Sequence, residues 1–261
     1  MPSTTTATLG RFVWHELMTT NPSAAQAFYK EVVGWTTSKW DQSPVDYTMW
    51  MSGEVPIGGV MAMIPDADAM DAPPSWTAYI ETPDVDHTVE QAVKLGATVL
   101  IEPHTVEDIG RFGVLRDPQG AMFAVITNAT PLPEESDPQP LEFSWHELMA
   151  DDPEAAIEFY QEVFGWENKG ESDMGDQGVY RMFGRDRFTY GGVMKTPDGM
   201  SIPPHWVHYV RVPDSADAAV SRAEASGGTV IVAPIDVPGG DRIAVLTDPQ
   251  GATFAVHSKA T

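Results

Sequence analysis

The sequence predicts an α+β protein made of four βαβββ units, arranged as two tandem domains. Three observations carry this reading. First, the chain repeats itself: Trp14-His15-Glu16-Leu17-Met18 returns as Trp145-His146-Glu147-Leu148-Met149, an offset of 131 that recurs for Gly34-Trp35 against Gly165-Trp166 and for Asp117-Pro118-Gln119-Gly120 against Asp248-Pro249-Gln250-Gly251. Second, each copy carries short helices with clear boundary residues. Third, the stretches between them alternate apolar and polar, the period of a strand. A copy is longer than the ~20–50 residues of a solenoid unit and fits the ~100–200 residues of an independent domain.

Each copy opens on an alternating strand, Phe12 to Met18 or Phe143 to Met149. Asn21-Pro22 and Asp152-Pro153 then supply an N-cap followed by proline at the first helical position, and Gly34 and Gly165 are placed to end the helix in a left-handed turn. Between them Ala25, Phe28, Tyr29 and Val32 recur at helical spacing, as do Ala156, Phe159, Tyr160 and Val163, so these helices are amphipathic. Short strands follow near Tyr47 to Met51 and Ile57 to Met63, and near Tyr180 to Phe183 and Tyr190 to Met194. The second half of each copy repeats the order with strands Trp76 to Glu81 and Trp206 to Val212. Helices then run over Asp84 to Leu95 and Ser215 to Ser226, and Asp-Pro-Gln-Gly forms a type I turn joining two last strands.

Domains are expected over 8–129 and 141–259, divided at 130–140, where Pro131, Pro133, Pro138 and Pro140 stand among acidic residues as in a stiff, solvated linker. Similar crossings at Pro65 to Pro74 and Thr196 to Pro204 lie inside each domain. The composition is that of a globular protein, 42% hydrophobic and 20% charged with 8 Trp and 13 Met. No apolar run approaches a membrane span, and the N-terminus lacks the features of a secretion signal, so a cytoplasmic location is expected. The absence of Cys excludes disulfides, thiolate metal sites and cysteine nucleophiles. A net charge of −23 argues against nucleic acid and anionic membranes as partners; monomer or weak dimer is expected, since the repeat already supplies a partner domain.

The fourfold βαβββ order, the Phe-Tyr pair and Gly-Trp of the first helix and the Asp-Pro-x-Gly turn before the last strand resemble the vicinal oxygen chelate superfamily, which contains glyoxalases, bleomycin-resistance proteins and extradiol dioxygenases. The resemblance spans nearly the whole chain and is nearest to tandem glyoxalase-like proteins. It implies mixed and antiparallel sheets curved around cupped cavities, whose lining residues carry function. Metal-dependent members place a His or Gln on the first strand and a Glu on the last strand of a unit. Here those positions fall on Trp14 and Trp145, and on Ala124 and Ala255, none of which can ligate a metal. The second unit has Thr77 and the fourth has His208, leaving one plausible ligand where a site needs about three. The expected cofactor is therefore none, the alternative being one divalent metal near His208.

Strand alternation turns His15 and His146 toward the helices with Leu17 and Leu148, as structural imidazoles, while Trp14, Glu16 and Met18, with Trp145, Glu147 and Met149, face the cup. Glu16 and Glu147 are the candidate catalytic residues, since a carboxyl enclosed beside indole loses solvation and its pKa rises toward the range of general acid-base work. The plainer alternative pairs each with Arg111 or Arg242. Candidate ligand-binding residues are Trp14, Trp145, Tyr47, Tyr180, Trp206, His205, His208 and Tyr209. An aromatic and methionine-bearing wall suits a flat or hydrophobic organic ligand. The expected function is a lyase, isomerase or oxygenase of glyoxalase-like type that acts on a hydrophobic or carbonyl-containing metabolite by Glu-mediated proton transfer, without metal. The alternatives are a sequestering, resistance-type binding protein and a metal-dependent glyoxalase or dioxygenase using His208.

Overall fold

A computed structural model describes residues 8–43, 45–63, 73–175, 178–197 and 202–260; most of the crossing expected at 65–74, and residues 198–201 of the one expected at 196–204, lie outside the described residues. The first copy runs β1 (Phe12–Thr19), α1 (Pro22–Val32), β2 (Thr36–Lys39), β3 (Tyr47–Ser52), β4 (Val55–Ala62), β5 (Ser75–Glu81), α2 (Val85–Lys94), β6 (Thr98–Val106), β7 (Gly110–Arg116) and β8 (Met122–Asn128). The second copy repeats it as β9 (Phe143–Ala150), α3 (Pro153–Phe164), β10 (Glu167–Asp173), β11 (Val179–Arg185), β12 (Phe188–Lys195), β13 (His205–Arg211), α4 (Ala216–Ala225), β14 (Thr229–Asp236), β15 (Arg242–Thr247) and β16 (Thr253–Ser258). Each copy thus contains two βαβββ units in a mixed eight-stranded sheet, ordered β2-β3-β4-β1-β5-β8-β7-β6 in the first and β10-β11-β12-β9-β13-β16-β15-β14 in the second. Among the described residues no helix is long and apolar enough to cross a membrane.

The helices begin where capping chemistry places them. Asn21, Asp84, Asp152 and Ser215 each accept a backbone N–H of the first turn through the side chain, and proline opens α1 and α3. Gly165 ends α3 at φ 65°, and Gly34, at φ 96°, stands one residue past the C-cap of α1, a conformation that costs a β-carbon-bearing residue about 1 kcal/mol or more.

The two compact units of the chain are not the two repeats. Among the described residues, one combines those within 8–13, 78–136 and 146–206, and the other those within 14–77, 137–145 and 207–260. Inside the first unit, α2 residues Val85, Val89 and Ala92 and α3 residues Phe159, Tyr160 and Val163 share a core with Phe123 and Leu148. In the second, Ala25, Phe28, Tyr29 and Val32 of α1 and Ala216, Ala219 and Ala223 of α4 pack with Leu17 and Phe254.

One polar motif recurs at the centre of each core. The Asp-Pro-Gln-Gly turns close with Gly120 N–H donating to Asp117 O and Gly251 N–H to Asp248 O, both at 3.0 Å. The Asp side chains point back into the turn, where Oδ1 accepts two backbone amides. The remaining oxygen accepts a helix tyrosine from the other repeat. Tyr160 donates to Asp117 at 3.0 Å in the first unit and Tyr29 to Asp248 at 3.3 Å in the second. A tryptophan N–H completes each set, Trp206 to Tyr160 at 3.1 Å and Trp76 to Tyr29 at 2.9 Å. Burial raises both phenols and both carboxyls above their ordinary pKa values, against the lowering effect of the turn amides on the carboxyls.

The segment at 130–140 has side-chain ties along its length. In the first unit Arg11 donates to Pro133 O at 2.8 Å and Tyr190 to Glu135 at 3.1 Å; in the second, Arg211 donates to Pro138 O at 2.7 Å.

Candidate functional site

In the second unit, β1, β3 and β4 lie side by side, with Glu16 in register with Gly59 and Gly59 in register with Met49; the next row is Met18, Met61 and Tyr47. Alternation puts these side chains on one face, opposite Leu17 and the helices. On that face Trp14 Nε1 donates to Tyr47 Oη at 3.0 Å, and Tyr47 Oη donates to Glu16 Oε2 at 3.1 Å. The contact requires glycine at position 59, because a β-carbon there would fall on the Tyr47 hydroxyl. Burial, and then the Glu16 charge, hold the Tyr47 phenol far above its ordinary pKa, so it stays a proton donor throughout the physiological range. Tyr47 is buried while Trp14, Glu16, Met18, Met49 and Met61 are half-buried, so a carboxylate supported by a phenol and an indole stands on a partly accessible wall.

The first unit holds the equivalent wall. Glu147 is in register with Gly192 and Gly192 with Met182, and a β-carbon at Gly192 would fall on the Tyr180 ring. Trp145, half-buried and two residues before Glu147 on β9, belongs to the second unit.

The remaining expected site residues are distributed differently. Trp206 belongs to the core: with its repeat mate Trp76 it faces the helices and binds a tyrosine, because position 206 shares strand parity with His208 and Val210. His205 is half-buried, with Nδ1 against Pro203 O at 2.9 Å, and burial lowers its pKa. Tyr209 is buried, as is its mate Tyr79, which lies edge-on to Phe112 at 5.7 Å. His208, 1% exposed, has its ring 5.2 Å from that of His15, and His15 stacks on Phe143 at 3.6 Å. In the first unit His146 stacks on Phe12 at 3.7 Å. Both first-strand histidines are buried.

The arginines weighed as partners of Glu16 and Glu147 bind carboxylates at helix starts. Arg111 makes a paired hydrogen bond to Asp86 and Arg242 to Asp217, carboxylates in the first turns of α2 and α4. As for a metal, the potential ligand atoms of His15 and His208 lie within 4.8 Å of each other, but this pair is on the face of β1 opposite Glu16. Ala124 and Ala255, at the last-strand ligand positions, are fully buried and offer no donor. The last-strand positions of this unit thus supply no ligand, while two buried imidazoles stand together on the opposite face.

Two features had no sequence signal. In the first unit a cavity of about 370 Å³ opens between Arg11, Glu81, Thr127, Asn128 and the segment that includes Pro131 and Glu135. In the second, His257 is bound on both ring nitrogens, to Ser144 at 2.9 Å and Asp241 at 3.0 Å.

Comparison with known proteins follows the same lines. Residues 143–256 match the Glyoxalase/Bleomycin resistance protein/Dioxygenase superfamily, and residues 14–126 match the Glyoxalase-like domain family. CFP32 of Mycobacterium tuberculosis, which carries a glyoxylase name, is 34% identical over 263 residues, covering 95% of this chain and 94% of its own. The anthracycline biosynthesis protein DnrV of Streptomyces peucetius is 32% identical over 263 residues, covering 95% and 92%. Among solved structures, the Mn(II)-bound glyoxalase from Novosphingobium aromaticivorans superposes with a TM-score of 0.63 at 15% identity, over 98% of this chain and 84% of that one.

Proposed function

Since the chain belongs to the glyoxalase/bleomycin resistance protein/dioxygenase superfamily, we propose that it is a glyoxalase-like enzyme in which Glu16, and Glu147 in the second repeat, move a proton on a hydrophobic, carbonyl-containing substrate. The observation that carries this reading is the chain of donors from Trp14 through Tyr47 to Glu16. A carboxylate in that position can accept a proton from the carbon beside a carbonyl. Once Glu16 is protonated, the tyrosine hydroxyl can turn its single proton from Glu16 to the oxygen that has gained charge. The methionines and Trp14 supply a flat apolar wall for the rest of the substrate. The names of the relatives support the same substrate class, a glyoxylase for the carbonyl and an anthracycline biosynthesis protein for the flat ring system.

The test starts from a thermal-shift screen of dicarbonyl and aromatic ketone compounds, since a ligand of the folded state raises its melting temperature. With the compound so found, Glu16→Gln and Glu147→Gln together are expected to lower turnover by roughly 10²–10⁴-fold while binding persists. Turnover equal to the wild type discards the reading. A bound compound recovered unchanged from the wild type replaces it with a sequestering role. About one equivalent of a divalent metal per chain, lost on His208→Ala, replaces it with metal-dependent chemistry.

A further inference from the structure

The three residues Ser144, His257 and Asp241 come from β9, β16 and the turn before β15, and they meet in one hydrogen-bonded line. Ser144 Oγ lies 2.9 Å from His257 Nδ1, and His257 Nε2 lies 3.0 Å from Asp241 Oδ2. Asp241 is held on its other side by Lys259 Nζ at 2.8 Å and by the Ala260 amide at 3.1 Å. We propose that these residues form a nucleophilic site for carboxylic esters and related activated acyl compounds, separate from the Glu16 wall.

The geometry sets the roles. Asp241 can only accept, so the His257 proton sits on Nε2 and Nδ1 carries the lone pair that faces the serine hydroxyl. This is nucleophile, base and orienting carboxylate in sequence, with the two ring nitrogens exchanged relative to the usual order; either nitrogen can take the proton once the other is held. The serine hydroxyl has one further contact, with Tyr209 O at 3.4 Å, which is the longer of its two. Burial lowers the His257 pKa, against the raising effect of Asp241, so the ring is a neutral base near pH 7. The charged groups facing it are Asp241, Lys259 and Arg211, the last in register with it on β13. Ser144 is half-buried, and the His257 and Asp241 side chains are 12% and 21% exposed, so the site is reachable from solvent.

The other repeat serves as an internal control. Its equivalent positions hold Val13, Ile126 and Gly110, in strands of the same order. The fold therefore does not need the serine, the imidazole or the carboxylate, and all three were placed in one repeat together.

In the reaction, Ser144 Oγ bonds to the acyl carbon as its proton passes to His257 Nδ1. The ester C–O bond breaks and the departing alcohol takes that proton. Water then repeats the sequence on the acyl-serine, releasing the carboxylic acid and restoring the hydroxyl, so one ester and one water give one acid and one alcohol. Arg211, in register with His257, brings a positive charge near the ring while its guanidinium donates to Pro138 O.

The test is labelling of the full chain with an alkyl fluorophosphonate, read by intact mass and peptide mapping, with hydrolysis of p-nitrophenyl acetate in parallel. One adduct on Ser144 is expected, absent in Ser144→Ala. The labelling rate should fall at least about 100-fold in His257→Gln and Asp241→Asn, and in the wild type it should level off above a pH midpoint lower than 6.5, the ordinary histidine value. The wild-type pH profile decides the matter even where a variant fails to fold. No adduct, an adduct elsewhere, or a Ser144 rate that climbs in proportion to hydroxide with no midpoint overturns the proposal.

Discussion

Tyr29 and Asp248 stand 219 residues apart in sequence and meet at 3.3 Å in a buried hydrogen bond. The phenol belongs to the first helix of one repeat and the carboxylate to the last turn of the other, and Tyr160 and Asp117 make the reciprocal contact at 3.0 Å. Each carboxylate thus ties its own turn through Oδ1 and a helix of the other repeat through Oδ2.

Removing one of these hydroxyls leaves a buried carboxylate oxygen and a buried indole N–H with fewer partners than they have now. Tyr29→Phe and Tyr160→Phe are each expected to cost about 1–3 kcal/mol. Urea unfolding curves would record this as a lower midpoint at unchanged slope.

Gly59→Ala tests whether the Tyr47 to Glu16 contact matters for turnover. The new methyl group competes with the Tyr47 hydroxyl for one volume, so the tyrosine must swing away. A displacement of this size is expected to lower turnover by about 100-fold. Gly53→Ala, at a site with open space around it, is the control: it strains a left-handed residue without touching the wall, and steady-state kinetics should hardly change.

Acid stability should carry the signature of Asp241. Burial alone would raise this carboxyl, but hydrogen bonds from Lys259 and His257 overcome it and bring it to about 2 from 3.8. Its contribution is therefore fully present above pH 3.8 and is lost as pH falls toward 2. In Asp241→Asn the melting temperature should fall less steeply across that window than in the wild type, and the two proteins should differ more at pH 6 than at pH 2.

Asp152 caps α3 by accepting the amides of Glu154 and Ala155 at 3.2 and 3.1 Å, and its backbone exchanges two hydrogen bonds with the Gln119 side chain. Asp152→Ala removes the cap and keeps the exchange, for an expected loss of about 0.5–2 kcal/mol by chemical denaturation.

Local chemistry was legible in the sequence wherever a residue type dictates a conformation. Asn21-Pro22, Asp152-Pro153, Gly34, Gly165 and the two Asp-Pro-Gln-Gly turns mark their boundaries because capping, proline and left-handed glycine act within a few residues. The first-strand parity that sends Leu17 to the core and Glu16 away from it is equally local. The edge strand β2 escaped notice, since Thr36–Lys39 is fully exposed and carries no apolar alternation. Trp206 lies on a strand buried on both faces, which erases the period that parity depends on, so its place in the core is not marked in the sequence. Long-range partners such as Tyr29 with Asp248, or Ser144 with His257 and Asp241, leave no mark on spacing at all.

Because each core draws one half from either repeat, a single repeat expressed alone would own two half-cores and complete neither. The apolar faces of α1 and α2 would then call for a second molecule of the same sequence, exchanged about a twofold axis. Joining the repeats in one polypeptide makes that encounter intramolecular, so assembly no longer depends on concentration. It also frees one copy to diverge, as the serine, imidazole and carboxylate found in only one repeat have done.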